Sequence, residues 1–409
     1  MDDRRYYGFD ALRGYMMMLG IVLHGANFYM SAPPPTMPVP IDPNNSYLFD
    51  LMFHFIHSFR MPTFFVLAGF FTSLLVEKRG LWGTYKNRAA RVLAPLVAGI
   101  FTVVPLASLF AVDYIVSVRF GTHDIVPNMD NLKTLLGEID AKLVAQGLPS
   151  GQMPGFAHLW FLYYLCMFYL LIPVCQWLIK WSLPAGRTIR RLLASPMAMI
   201  VLGLLTSATL WPFHGGQVHE GFIYLKPHPP SLVYYGLFFI LGYLFHSYRE
   251  LLQTSIRTVT GFALVALVLF PLSLYVSDLD RSTGSVATHL AAVVVNGMCT
   301  WAMIYAFLGA AQRFFDFESP WILYASQSSY WVFMVHLPLV SFAAWMLVPY
   351  DLPALVKFSL AVGFTTIVCF TTYHYWVQRT WVSVFLNGRR FNLNWPWLPQ
   401  APNALAVKA

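Results

Sequence analysis

Ten stretches of about twenty apolar residues, parted by clusters of Pro, Gly and charge, recur along this chain. Nothing else in it limits the fold so tightly. A helix rising about 1.5 Å per residue crosses the ~30 Å hydrocarbon core of a bilayer in that length. Lipid offers the backbone no hydrogen-bond partner, so a spanning chain is either helical or a closed barrel. These runs are continuous and lack ten-residue alternation, which excludes the barrel. The expected fold class is all-α, a polytopic membrane helix bundle of about ten transmembrane helices. Composition agrees: 57% of the 409 residues are hydrophobic and 11% charged, against about a quarter charged in soluble domains. The +8 net charge sits at the membrane surfaces and does not indicate nucleic acid.

The spans are placed near 8–30, 46–76, 92–112, 157–179, 195–212, 231–247, 259–277, 286–311, 319–348 and 354–378. The second and ninth exceed the length needed, which predicts tilt, kinking or extension beyond the bilayer, with Pro62 and Pro338 as kink points. The first contains Asp10 and Arg13 and lacks a small-residue cleavage end, so it reads as a permanent span and not a leader. Cytoplasmic loops carry excess Lys and Arg. With both termini cytoplasmic, eighteen of the 26 Lys and Arg fall on inner segments and six on outer ones. The division expected is a membrane domain over 1–380 and a cytoplasmic C-terminal tail over 381–409. The long outer segments, 31–45 and 113–156, are a Pro-rich stretch and a cover with room for some structure. The four cysteines all fall in spans and suggest packing.

Ionisable groups inside lipid are costly and mark a site by default. Here they are Asp10, Arg13 and His24 in the first span, His54, His57 and Arg60 in the second, and His336 in the ninth. Counting the helical rise puts Arg13 and Arg60 in an inner layer and the four histidines in an outer one. His54, His57 and Arg60, at i, i+3 and i+6, are expected on roughly one helix face. The result is a polar shaft. Arginine suits phosphate or carboxylate through its planar fork, and histidine suits proton transfer near neutrality. Each feature also has a plainer reading. A lone buried histidine is more often a helix–helix hydrogen-bond partner. Asp10 pairs with Arg13 one turn away. Arg88 and Arg91 form a basic stretch that serves topology or headgroups as readily as phosphate, and Trp160, in an aromatic run, suits an interfacial belt.

At these residues the chain resembles the acyltransferase-3 family of membrane acyltransferases. FDALRGYMMMLGIVLHG carries that family's Arg, ten residues, then His, as Arg13 and His24. FIHSFRMPTFFVLAGFF resembles its second segment, with Ala68 in place of the usual Ser. NRAARVLAP resembles its inner R-x-x-R before proline, at Arg88 and Arg91. FIHSFRM, HLWFLYYL from His158, VHLPL around His336 and the ten-span layout resemble the branch acting on osmoregulated periplasmic glucans. The 113–156 segment carries no matching motif.

The resemblance implies a bacterial inner-membrane O-acyltransferase that moves a succinyl group from cytoplasmic succinyl-CoA to glucan hydroxyls. The reading that goes with it takes His24, with His57 or His54, as catalytic, and Asp10, Arg13, Arg60, Arg88, Arg91, Trp160 and His336 as acyl-CoA or acceptor binding; which of His54, His57 and His336 assists His24 stays open. No permanently bound cofactor and no metal is expected. Partners are acyl-CoA, the glucan and lipid, with a homodimer left open. An acyl-histidine or a serine relay through Ser58 or Ser329 also stays open. So do acetyl transfer to another envelope glycan and, from a different class, a proton-coupled transporter, though no repeated halves with broken helices are evident.

Overall fold

A computed structural model describes residues 6–34, 41–124, 155–182, 195–218, 227–247 and 250–400, with a few positions between 130 and 141. Most of the expected outer cover beyond 124, Arg187, Arg190 and Arg191 of an expected inner loop, and the end of the expected tail from 401 lie outside the described residues. Among the described residues there is helix and no strand.

The helices are α1 (Tyr7–Ala26), α2 (Tyr47–Arg88), α3 (Ala94–Phe120), α4 (Trp160–Tyr169), α5 (Ile172–Ser182), α6 (Met197–Leu210), α7 (Pro229–Ser247), α8 (Glu250–Arg257), α9 (Val259–Thr283), α10 (Val286–Phe314), α11 (Pro320–Met346), α12 (Ala354–Thr372) and α13 (Trp381–Asn387). Single π-turns at Ala89–Leu93 and Tyr373–Val377 follow α2 and α12. Every one of the ten apolar segments is thus built around helix. By length and composition, five of the described helical runs suffice to cross a membrane: Tyr47–Phe120, Val259–Thr283, Val286–Phe314, Pro320–Met346 and Ala354–Val377. A sixth is the pair Ala157–Tyr169 and Ile172–Lys180, if the 52° bend between them falls within one crossing.

Small residues let these helices approach, as expected where lipid supplies no hydrophobic drive between them. A Cβ on Gly69 would strike the Phe239 carbonyl, and one on Gly242 that of Val66, so α2 and α7 lie backbone against backbone. At its centre, α1 packs against α2, α10, α11 and α12.

The non-helical residue of α2 is Gly80, at φ 69° and ψ 176°, beyond the second apolar run, while Pro62 and Pro338 sit inside helical backbone. Each proline lacks the N–H that would bond the carbonyl four residues back. Side chains from elsewhere take those carbonyls. Thr300 Oγ1 donates to the Ser58 carbonyl at 3.1 Å, and His158 Nε2 lies 3.2 Å from that of Met334.

The C-terminal segment joins the packed body. Arg91 Nη1 donates to the carbonyls of Val384 and Phe385 on α13, Asn387 donates to the Gln327 carbonyl at 3.1 Å, and Phe391 and Leu393 are buried. On the opposite side, Asp50 accepts from Ser31 and Ala32. Buried Lys357 reaches Asp42 there, 3.1 Å away.

Candidate active site

Two cavities meet around α1. The smaller, about 20 Å³, takes its polar lining from His24, His158, His336 and Arg60, and the rest from Met, Phe and Trp160 side chains. That is room for about one water. His336 touches both other imidazoles, with ring centroids 5.2 Å from His24 and 5.0 Å from His158. Arg60, 5% exposed, donates from Nε to the Met16 carbonyl at 2.8 Å and lies over the Phe64 ring. Its guanidinium occupies the space a Cβ on residue 20 would need, so Gly20 admits it. Among the described residues no carboxylate pairs with it. His158 is delivered by the 3₁₀ turn Ala157–Leu159, where Ala157 adopts φ 46°.

The larger cavity, about 760 Å³, falls in the range of small-molecule and cofactor pockets. Arg13, Arg79, Arg88, Arg91 and Arg389 line it, and Asp10 is the one carboxylate among its lining residues. Asp10 and Arg13 form the expected pair at 3.4 Å. Both are tied to α11 through Ser326, whose Oγ accepts from Arg13 at 2.5 Å and donates to Asp10 at 2.9 Å. Arg88 lies over the Tyr169 ring. Arg91 spends part of its fork on α13. Met17, Phe64, Phe161 and Phe333 line both cavities, so an apolar collar is all that parts the arginines from the imidazoles.

The expected residues therefore divide. Asp10, Arg13, Arg88 and Arg91 share the basic cavity, while His24, His336, Arg60 and Trp160 share the small one. Arg60 belongs with the histidines and not with Arg13. Side chains on a helix lean toward its N-terminus, which on α2 is the His54 end, so the guanidinium reaches back into the histidine layer. His54 and His57 face a third cavity of about 30 Å³ with Gln217, Asn296 and Thr300, and His57 Nε2 lies 2.5 Å from the Val218 carbonyl. At about 100° per residue, Arg60 sits roughly 120° around α2 from His54, so a single face does not hold all three.

His158 is the residue that sequence reasoning left out of the site. It stands at the head of an apolar run, where a histidine reads as interfacial. In the sequence Arg79 and Arg389 read only as topology signals, and the structure adds both to the lining of the larger cavity. Among the described residues no group of three or more His, Cys, Asp or Glu is placed to hold a metal.

A helical membrane protein with a basic, cofactor-sized pocket ending on buried imidazoles has the parts of a group-transfer enzyme for an anionic donor. The chain belongs to the acyltransferase-3 family, whose acyltransferase domain matches residues 6–374. It is 26% identical over 368 residues to Glucans biosynthesis protein C of Escherichia coli O139:H28 (strain E24377A / ETEC), covering 85% of each chain. The same figures hold for the protein of that name in E. coli strain K12. No solved structure matches.

Proposed function

We propose that this acyltransferase moves a succinyl group from cytoplasmic succinyl-CoA to hydroxyls of periplasmic osmoregulated β-glucans, by direct O-acyl transfer within a bacterial inner membrane. In this reading the chain crosses ten times and both termini are cytoplasmic. The supporting observation is the junction of the two cavities. Five arginines suit the phosphates of CoA, the Met17–Phe64–Phe161–Phe333 collar suits the slim acyl-pantetheine arm, and the imidazoles beyond suit proton transfer. The succinyl donor comes from the resemblance alone, and the glucan acceptor from the resemblance and the name of the relatives.

The chemistry divides accordingly. The glucan oxygen forms its bond to the thioester carbonyl carbon while its proton passes to His24. Arg60, with guanidinium donors aimed at no carboxylate, stabilises the oxyanion. The carbon–sulfur bond then breaks, and the proton on His24 goes to the CoA sulfur. Glucan ester and free CoA leave.

The test is transfer of labelled succinate from succinyl-CoA to β-glucan by the purified protein in lipid. His24→Ala should lower kcat by about 10²–10⁴-fold while acyl-CoA still binds. Full transfer by that variant removes the role given to His24. Transfer from acetyl-CoA but not succinyl-CoA replaces the donor. No transfer from either overturns the reading.

A further inference from the structure

The backbone decides which nitrogens in the small chamber carry hydrogen. His336 Nδ1 lies 2.9 Å from the Val332 carbonyl oxygen and 2.8 Å from that of Phe333. A carbonyl oxygen only accepts, so Nδ1 bears the hydrogen, and Nε2 of the neutral ring is a lone pair. The same argument applies to His158. Its Nε2 faces the Met334 carbonyl, which Pro338 leaves without a helical donor, so its lone pair is on Nδ1. His336 Nε2 and His158 Nδ1 are both buried and meet no partner among the described residues. A buried acceptor left bare is costly. Each of the two therefore calls for an N–H or O–H donor.

For His336 that donor is next door. Two imidazoles joined edge to edge by N–H···N place their centroids about 5 Å apart, from a bond of about 2.9 Å and about 1.1 Å of ring on either side. His24 stands at 5.2 Å, the separation such a bond requires. Two other donors line the chamber, Trp160 and Arg60; Arg60 is held through Nε by the Met16 carbonyl, and its terminal nitrogens are those given to the oxyanion.

We propose that His336 is the positioning residue for His24. Its Nε2 accepts the His24 N–H, which fixes His24 in the tautomer whose other nitrogen is a lone pair open to the incoming hydroxyl. When His24 takes the proton, the same bond steadies the imidazolium. His336 itself makes and breaks no covalent bond. His158 Nδ1 is left to the acceptor hydroxyl, for which, as for a water, the chamber has room. This inference rests on the acyl-transfer reading for its kinetic consequence, but not for the tautomer.

Two variants and one spectrum test it. His336→Asn keeps an amide near Nδ1 that can donate to the same carbonyls and removes the distal acceptor. His336→Gln puts a carbonyl oxygen near the Nε2 position. We expect the Asn variant to lose about 100-fold in kcat with KM for acyl-CoA unchanged, and the Gln variant to recover to within about tenfold of wild type. Equal activity in the two variants, or a loss that appears in acyl-CoA binding, overturns the proposal in favour of a packing role. Nitrogen-15 spectra of histidine-labelled wild-type protein in lipid should show His336 protonated on Nδ1, with Nε2 accepting a hydrogen bond. Hydrogen on Nε2 overturns the proposal whether or not transfer is observed. A wild type that transfers nothing while showing the expected tautomer removes the acyl-transfer reading alone.

Discussion

A single missing methyl group gives Arg60 its place. Gly20 leaves open the volume where the guanidinium lies, and the atom a new Cβ would meet is the far end of a flexible side chain. Gly20→Ala should therefore displace Arg60 with little effect on folding, changing stability by about 1 kcal/mol or less. A donor moved by an ångström can cost about 10²-fold in rate. We expect kcat to fall by roughly 10–100-fold at unchanged KM for acyl-CoA. Steady-state kinetics beside a thermal unfolding curve checks both halves, and wild-type kcat would show that Arg60 does not act where it lies. Residue identity showed much of this site in advance. The Asp10–Arg13 pair follows from i, i+3 spacing, and His24 and His336 fall in one layer by counting rise. His158 escaped because its depth depends on a turn, not on its position in a run.

The two prolines read as kinks, and in the structure they act as sources of free carbonyls. Pro62 leaves the Ser58 oxygen to Thr300, and Pro338 leaves the Met334 oxygen to His158. Inside lipid such a group needs a partner, so a proline in one helix selects a polar side chain on another. Pro338→Ala restores the N–H that competes for the Met334 carbonyl. It should leave the melting temperature unchanged or raised, because an interior proline costs a helix about 3 kcal/mol. It should also lower kcat by about tenfold as His158 loses its anchor. A variant both more stable and fully active would separate His158 from the reaction. Helix periodicity could not reveal this coupling, because a carbonyl's partner comes from a segment distant in sequence. Periodicity does account for the parting of His54 from Arg60, since i and i+6 lie about 120° apart.

For the molecule as a whole, the arrangement is a charged vestibule, an apolar collar and a small imidazole chamber in series. Five arginines around one carboxylate attract an anion through a screened Coulomb field, whose range falls from about 10 Å at 0.1 M salt to about 3 Å at 1 M. Binding of acyl-CoA should weaken several-fold across that range of salt, while an acyl-pantetheine without phosphates should bind with little salt dependence. Titrations in nanodiscs at the two salt concentrations would decide it. Equal salt response from both ligands would mean that the arginines do not hold the nucleotide end.

The sequence alone determined that this chain is built of membrane-type helices, and it marked an Arg and a His eleven residues apart on the first of them as candidates for a site. Both follow from local quantities: the hydropathy of a twenty-residue run and the rise of a helix. Which buried groups share a cavity was decided only in three dimensions. Arg60 leaves Arg13 for the histidines because α2 runs antiparallel to α1 and its side chains lean back toward the His54 end. Arg79 and Arg389 join the vestibule because Gly80 breaks α2 and α13 folds back onto Arg91. Each of these depends on contacts between segments far apart in the chain, and no local pattern encodes them.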